Sequence, residues 1–241
     1  MGDGLEKRNG PREGAVEPSV KPTAGYGLDA SGSVTPRQLA VKRVAVFVDG
    51  FNLYHGMHEA FGRKYLWLDL QALSLSLLKP DQKLVAVHYF TARVRNDPQG
   101  AARQALYLGA LKATGVRVVE GRFQEKPQEC KRCGATWRSY EEKESDVNLC
   151  VGLMEAARLR QFDVALIVSG DSDMVPAVKA VRHMNTSLRL IAAFPPKRFS
   201  DDLRRSVHAH LRIGTAKIRQ SQLDDVVSKD GRDYQRPGYW H

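Results

Sequence analysis

Five short runs rich in apolar and β-branched residues recur along the chain: Arg43–Val48 (RVAVFV), Leu84–Thr91 (LVAVHYFT), Val116–Phe123, Val164–Ser169 (VALIVS) and Ser187–Phe194. Runs this continuous predict strands covered on both faces. Between them the apolar positions shift to helical spacing. Helices are predicted over Phe51–Ala60, Asp69–Leu78, Gln99–Thr114, Ser145–Arg160, Val175–Met184 and Ser200–Leu211. Leu149, Gly152, Leu153 and Ala156 share one helical face, and Gly115 follows the third helix as a C-terminal stop. Strands alternating with helices predict an α/β fold with a mainly parallel central sheet and helices on both faces. Trp67, Tyr89 and Phe90 fall at expected core positions. Gln124–Glu144 breaks the rhythm: it is polar, holds Cys130 and Cys133, and reads as an insertion.

The ends of the chain differ from this body. Residues 1–40 hold seven Gly and four Pro with no sustained apolar period, which predicts a flexible leader. Residues 221–241 read as a C-terminal tail, leaving 41–220 as the folded domain. Charge sharpens the division. Of a net +10, none comes from the leader, and the tail is slightly acidic. The body carries 29 basic and 18 acidic residues, so a polyanionic partner must be sought there. No stretch approaches the roughly 20 apolar residues that span a bilayer, and the N-terminus lacks the apolar core of a signal peptide. Three cysteines are too few for a secreted disulfide scaffold, so a cytoplasmic setting is expected.

Acids gather where the strands end. In open α/β sheets ligands bind outside the carboxyl ends of the strands. The first strand runs into VDGFN, with Asp49 and Asn52; the fourth runs into SGDSD, with Ser169, Asp171, Ser172 and Asp173. Asp146 opens the helix that follows the insertion. Any one of these acids alone is a common turn or helix-cap residue. Three of them at strand ends argue for a shared crevice. Clustered carboxylates repel, and a hard divalent cation relieves the repulsion. Oxygen ligands without His or Cys suit Mg²⁺ or Mn²⁺. DGFNLYHG lacks the G-x-G-x-x-G of a dinucleotide site. A phosphatase of the haloacid-dehalogenase type would need a second Asp where Phe51 stands, and a toprim-type domain would need Glu where Asp49 stands.

VAVFVDGFNLYHG (Val44–Gly56), EEKESDVNLCVGL (Glu141–Leu153), FDVALIVSGDSDMVPAVKAVR (Phe162–Arg182) and IAAFPPKRFSDDLRR (Ile191–Arg205) together resemble the NYN domain family, in its LabA-like branch, within the PIN-like nuclease superfamily. The resemblance covers about residues 43–214. It implies a three-layer α/β/α PIN-like (Rossmannoid) fold, an acidic metal site and hydrolytic cleavage of RNA. The family's acids fall on Asp49, Asp146, Asp171 and Asp173, its motif asparagine on Asn52, and its small hydroxyl residue on Ser169.

The expected activity is therefore a Mg²⁺- or Mn²⁺-dependent endoribonuclease. The alternatives are an RNA-binding or regulatory protein that does not cleave, and a structure-specific DNA nuclease. Arg93 and Arg95 follow the second strand, and Lys197 and Arg198 the fifth, so these four are the candidate phosphate contacts. His55 and His58, after the VDGFN turn, are read as surface or core residues. Cys130-x-x-Cys133 is half of a structural zinc site, which wants about four ligands. Cys150, His88, His183 or the second chain of a homodimer would have to complete a Zn²⁺ site; a pair of loop thiols without metal is the other reading.

Overall fold

Seven strands form the central sheet of the computed structural model, which describes residues 26–28, 34–36, 40–95 and 97–240. The expected leader lies mostly outside the described residues. Within it, β1 (Tyr26–Leu28) and β2 (Val34–Pro36) pair antiparallel. The body then runs β3 (Lys42–Asp49), α1 (Gly50–Phe61), α2 (Leu70–Leu77), β4 (Gln82–Ala92), α3 (Pro98–Ala113), β5 (Arg117–Glu129), β6 (Thr136–Lys143) and α4 (Ser145–Arg158). It continues with β7 (Val164–Val168), α5 (Val175–Met184), β8 (Arg189–Phe194), α6 (Asp201–Ser206), β9 (Ala209–Arg212), α7 (Thr215–Gln220), β10 (Val226–Lys229) and β11 (Arg232–Gln235).

The sheet order is β6-β5-β4-β3-β7-β8-β9. Six strands are parallel, and only β6 runs antiparallel, against β5. The alternation along β3 divides the interior in two. Val44, Val46 and Val48 pack with Leu53 and Met57 of α1, Leu70 and Leu73 of α2, Leu108 and Leu111 of α3 and Ile218 of α7. Ala45 and Phe47 pack with Leu149 and Leu153 of α4, Val178 and Val181 of α5 and Leu203 of α6. Helices thus cover both faces, which is why the central strands are apolar throughout. Trp67, Tyr89 and Phe90 are buried, as expected.

One expectation is corrected. The helix expected over Ser200–Leu211 stops at Ser206, and β9 takes up the chain three residues later as the far edge of the sheet. The segment read as an insertion, Gln124–Glu144, takes the form of a β-hairpin: β5 and β6 stay in register from Arg122↔Lys143 to Glu129↔Thr136. Residues 221–240 also carry structure. The Trp67 Nε1–H donates to the Asp224 carbonyl at 2.7 Å, and Leu223 and Trp240 are buried in the α1–α3 face of the core.

Candidate active site

β3 is where the chain changes direction across the sheet. Its neighbour β4 is reached over the α1–α2 face, whereas β7, its other neighbour, is entered through α4 on the opposite face. A crevice opens at the carboxyl edge of such a switch point; β3 ends there in Asp49, and β7 runs straight into Ser169.

Asp49 is 4% exposed. Its Oδ1 accepts the Asn52 N–H at 2.9 Å, capping α1, and its Oδ2 accepts the Ser169 hydroxyl at 2.9 Å. Ser169, fully buried, accepts the Asp171 N–H at 3.0 Å. The Asn52 Oδ1 accepts the Gly170 N–H at 2.8 Å, tying α1 to the β7 turn. Asp171 in turn accepts the Asp173 N–H at 2.9 Å and caps the single 3₁₀ turn Ser172–Met174. Asp49 and Asp171 therefore both cap helical turns and belong to the acidic edge; the two readings of these residues are not exclusive. Ser172 and Asp173 are exposed, and Asp146 is half-buried in the first turn of α4.

Electrostatics link these acids. Burial pushes the Asp49 carboxyl up to about 6; hydrogen bonds from Asn52 and Ser169 oppose the rise, and the charges of Asp146 and Asp171 add to it. Burial also raises the Cys150 thiol, one helical turn beyond Asp146, with further contributions from Asp146, Asp173 and Asp171. Asp146 and Asp171 thus act on Asp49, and together with Asp173 on Cys150. Among the described residues, no three His, Cys, Asp or Glu side chains form a group that could hold a metal ion as they stand. The donor chemistry, carboxylate oxygens with hydroxyl support, still fits a hard divalent cation.

The four candidate phosphate contacts behave differently. Arg93 pairs with Glu120, and Arg198 pairs with Glu59 at 3.2 Å. Arg95 and Lys197 are exposed. Arg198 also contributes to lowering His55, whose main cause is burial. Gly170 is a residue that motif reasoning passed over. A Cβ there would lie 2.8 Å from the backbone of Arg198 and Phe199. Only glycine lets the SGDSD turn touch the loop after β8. The signal was the glycine itself, but its meaning required knowing which loop arrives.

Cys130 and Cys133 lie away from β3, at the turn of the β5–β6 hairpin. The Cys130 carbonyl accepts the Gly134 N–H at 2.8 Å. The Cys130 thiol is lowered by the Arg132 and Cys133 amides and by the Cys133 thiol. All three cysteines are free, and Cys150 sits on α4.

A doubly wound sheet with a carboxylate-rich switch point defines a three-layer PIN-like protein. The family model for the NYN domain matches residues 43–214, and the chain belongs to that family, a PIN-like nuclease family. A curated relative, 6-hydroxy-3-succinoylpyridine 3-monooxygenase HspA from Pseudomonas putida, is 28% identical over 190 residues. The match takes in 64% of this chain and 59% of that relative's length. A crystal structure of a protein of unknown function from Vibrio parahaemolyticus aligns with a TM-score of 0.51 at 20% identity. It covers 73% of this chain and 95% of the other, and it supports the fold. Among the described residues no helix is long and apolar enough to cross a membrane.

Proposed function

We propose that this chain is a Mg²⁺- or Mn²⁺-dependent endoribonuclease that hydrolyses RNA phosphodiester bonds at the Asp49 edge. The observation that carries the reading is Asp49 itself. It is a buried carboxylate at the switch point, held by Ser169 and Asn52 and influenced by Asp146 and Asp171. Burying an acid this way is costly, and a structural cap does not need it.

Asp49, Asp146, Asp171 and Asp173 would hold the cation. Bound there, it would supply Lewis-acid stabilisation of charge on the phosphate and a more acidic water. The protein's own groups do the rest. Ser169 and the Asn52 N–H fix the Asp49 carboxylate, and the Asn52 carboxamide fixes the turn that carries Asp171. The exposed Asp173 accepts a hydrogen bond from the attacking water. Arg95 and Lys197, on the body that carries the positive surplus, hold flanking phosphates. Arg93 and Arg198 reach RNA by exchanging a carboxylate partner for a phosphate. A reducing cytoplasm, in which the three thiols stay free, is the proposed compartment.

Asp171→Asn tests this directly, because asparagine keeps the oxygen that accepts the Asp173 N–H. Purified protein is incubated with single-stranded and structured RNA, and with DNA, in Mg²⁺, Mn²⁺ or EDTA. Metal-dependent RNA products should fall about 10²–10³-fold in the variant, the scale of losing one preorganised electrostatic partner, while RNA binding persists. A variant that cleaves like the parent overturns the site. Tight RNA binding by the parent without products in either metal establishes the non-cleaving reading instead.

A further inference from the structure

The acidic edge has a neighbour that the proposed chemistry does not use. A cavity of about 180 Å³ opens on the α1–α3 side, lined by Gly50, Tyr54, Tyr89, Thr91, Tyr107 and Trp240 among others. It begins one residue from Asp49. A Cβ at Gly50 would sit 2.6 Å from the Phe90 carbonyl and within 2.8 Å of the Tyr89 ring and hydroxyl, so glycine is what lets the β3–α1 turn pass between site and cavity. The walls are mostly apolar and aromatic. Its charged lining groups are Arg103 and the more exposed Asp97, which pair at 3.2 Å. Together they present a guanidinium donor and a carboxylate acceptor. An aromatic slot with a donor and an acceptor in its lining suits a flat heteroaromatic ring.

One wall comes from outside the family match, which ends at residue 214. Trp240 is 6% exposed, and its ring lies 6.2 Å from that of Trp67 and 6.1 Å from that of Tyr107. Arg236 holds the tail in place by donating from Nε to the Trp240 carbonyl at 2.8 Å. Next to it, the Tyr239 ring has the guanidinium groups of Arg63 and Arg103 over it, at 5.4 and 5.8 Å. The closing wall thus lies in the segment beyond the family match.

We propose that this cavity takes one unpaired nucleobase of the RNA, the base flanking the phosphate at Asp49. The inference rests on the endoribonuclease reading. A base can enter only when it is unstacked, so the slot restricts cleavage to single-stranded segments and fixes the cut relative to one base.

The test uses single-stranded RNA oligomers that each carry one abasic position, scanned across the cut, in Mg²⁺ or Mn²⁺. The native chain should lose about tenfold in cleavage rate at one fixed abasic position, the scale of one lost base–aromatic stack. Val94→Trp, which fills the cavity from its lining, should cleave slowly and no longer distinguish that position. Tyr54→Ala, at a half-exposed wall, should weaken the discrimination in the same direction. A separate readout needs neither metal nor cleavage: nucleoside monophosphates should quench tryptophan fluorescence in the native chain and not in Val94→Trp. Cleavage with no sensitive position overturns this inference and leaves the endoribonuclease reading standing. Quenching by nucleoside monophosphates without cleavage of any RNA supports the ring site and overturns the endoribonuclease reading. Quenching by a free pyridine carboxylate but by no nucleotide makes the occupant a small heteroaromatic compound and overturns the nucleobase.

Discussion

The two faces of the sheet are filled differently. On the α4–α6 face, Phe47, Phe90, Phe162 and Phe194 are at most 2% exposed and pack with Leu149, Leu153 and Val178. On the α1–α3 face the large groups are Trp67, Tyr89, Tyr107 and Trp240, rings with polar tips, and the packing stops short of the carboxyl edge, leaving the cavity. The alternation of β3 divides the labour. Asp49 has the parity of Ala45 and Phe47, so its carboxyl belongs to the α4 side, where Asp146 and Asp171 influence it. Gly50 opens the other side. On the proposed reading, a closed face holds the acids still, and a face with room accepts a ring beside them.

Breaking the closed face should have the largest effect on stability. Phe47 is fully buried, with its ring 5.0 Å from that of His88 and 5.7 Å from that of Phe162. Phe47→Ala should destabilise the fold by about 3–5 kcal/mol, measured by denaturant unfolding. A loss below about 1 kcal/mol would mean that this face is no more closed than the other.

The acidic edge should respond in the opposite direction. Asp49 is a buried carboxyl whose pKa burial raises to about 6, so Asp49→Asn should stabilise the metal-free protein, by about 1–3 kcal/mol. Asparagine keeps an oxygen for the Asn52 N–H. Thermal unfolding in EDTA reads the gain. Adding Mg²⁺ should raise the melting temperature of the parent and leave that of the variant nearly unchanged. A variant less stable than the parent would make Asp49 a structural cap and nothing more.

How much of this was legible depended on whether the signal was local. β3 and β7 announced themselves as apolar runs because both of their faces are covered, and their terminal acids could be placed at one edge from strand direction alone. β6 is polar and pairs only with β5, so nothing in its own composition marked it as a strand. α6 was overextended because Val207–Leu211 is too short a stretch for its period to separate helix from edge strand. The packing of residues 221–240 was not legible for a different reason: their partners lie far away in sequence, as in the Trp67–Asp224 bond across 157 residues. The strand-end positions of Asp49 and Asp171 could be placed from the sequence, but the hydrogen bonds of Asn52 and Ser169 and the approach that needs Gly170 depend on which loops meet, and no spacing encodes that.

The smallest effect belongs to His88, and it probes the closed face through pH. His88 stacks in line with Phe47 and Phe90, with ring centroids 5.0 and 6.3 Å away. Burial, assisted by the Arg117 charge, lowers its pKa from 6.5 to about 4. Between those values the unfolded chain binds a proton that the folded chain refuses, so the His88 contribution to stability falls as pH drops from about 6.5 toward 4, while Asp49, pushed up to about 6, takes up its proton first in the folded chain and acts in the opposite sense over the same window. His55 and His208 are shifted in the same direction as His88 and add to its trend. The carboxylates lowered by Arg43, Arg93 and Lys112, namely Asp163 and Glu120, act below this window, as pH falls under the ordinary carboxylate range. His88→Phe keeps a flat ring in the stack and removes the proton. Its melting temperature should therefore lose less than the parent's between pH 7 and pH 5, with little difference at pH 7. Parallel losses in the two proteins would mean that water reaches His88, and that the α4–α6 face is less closed at this point than its phenylalanines indicate.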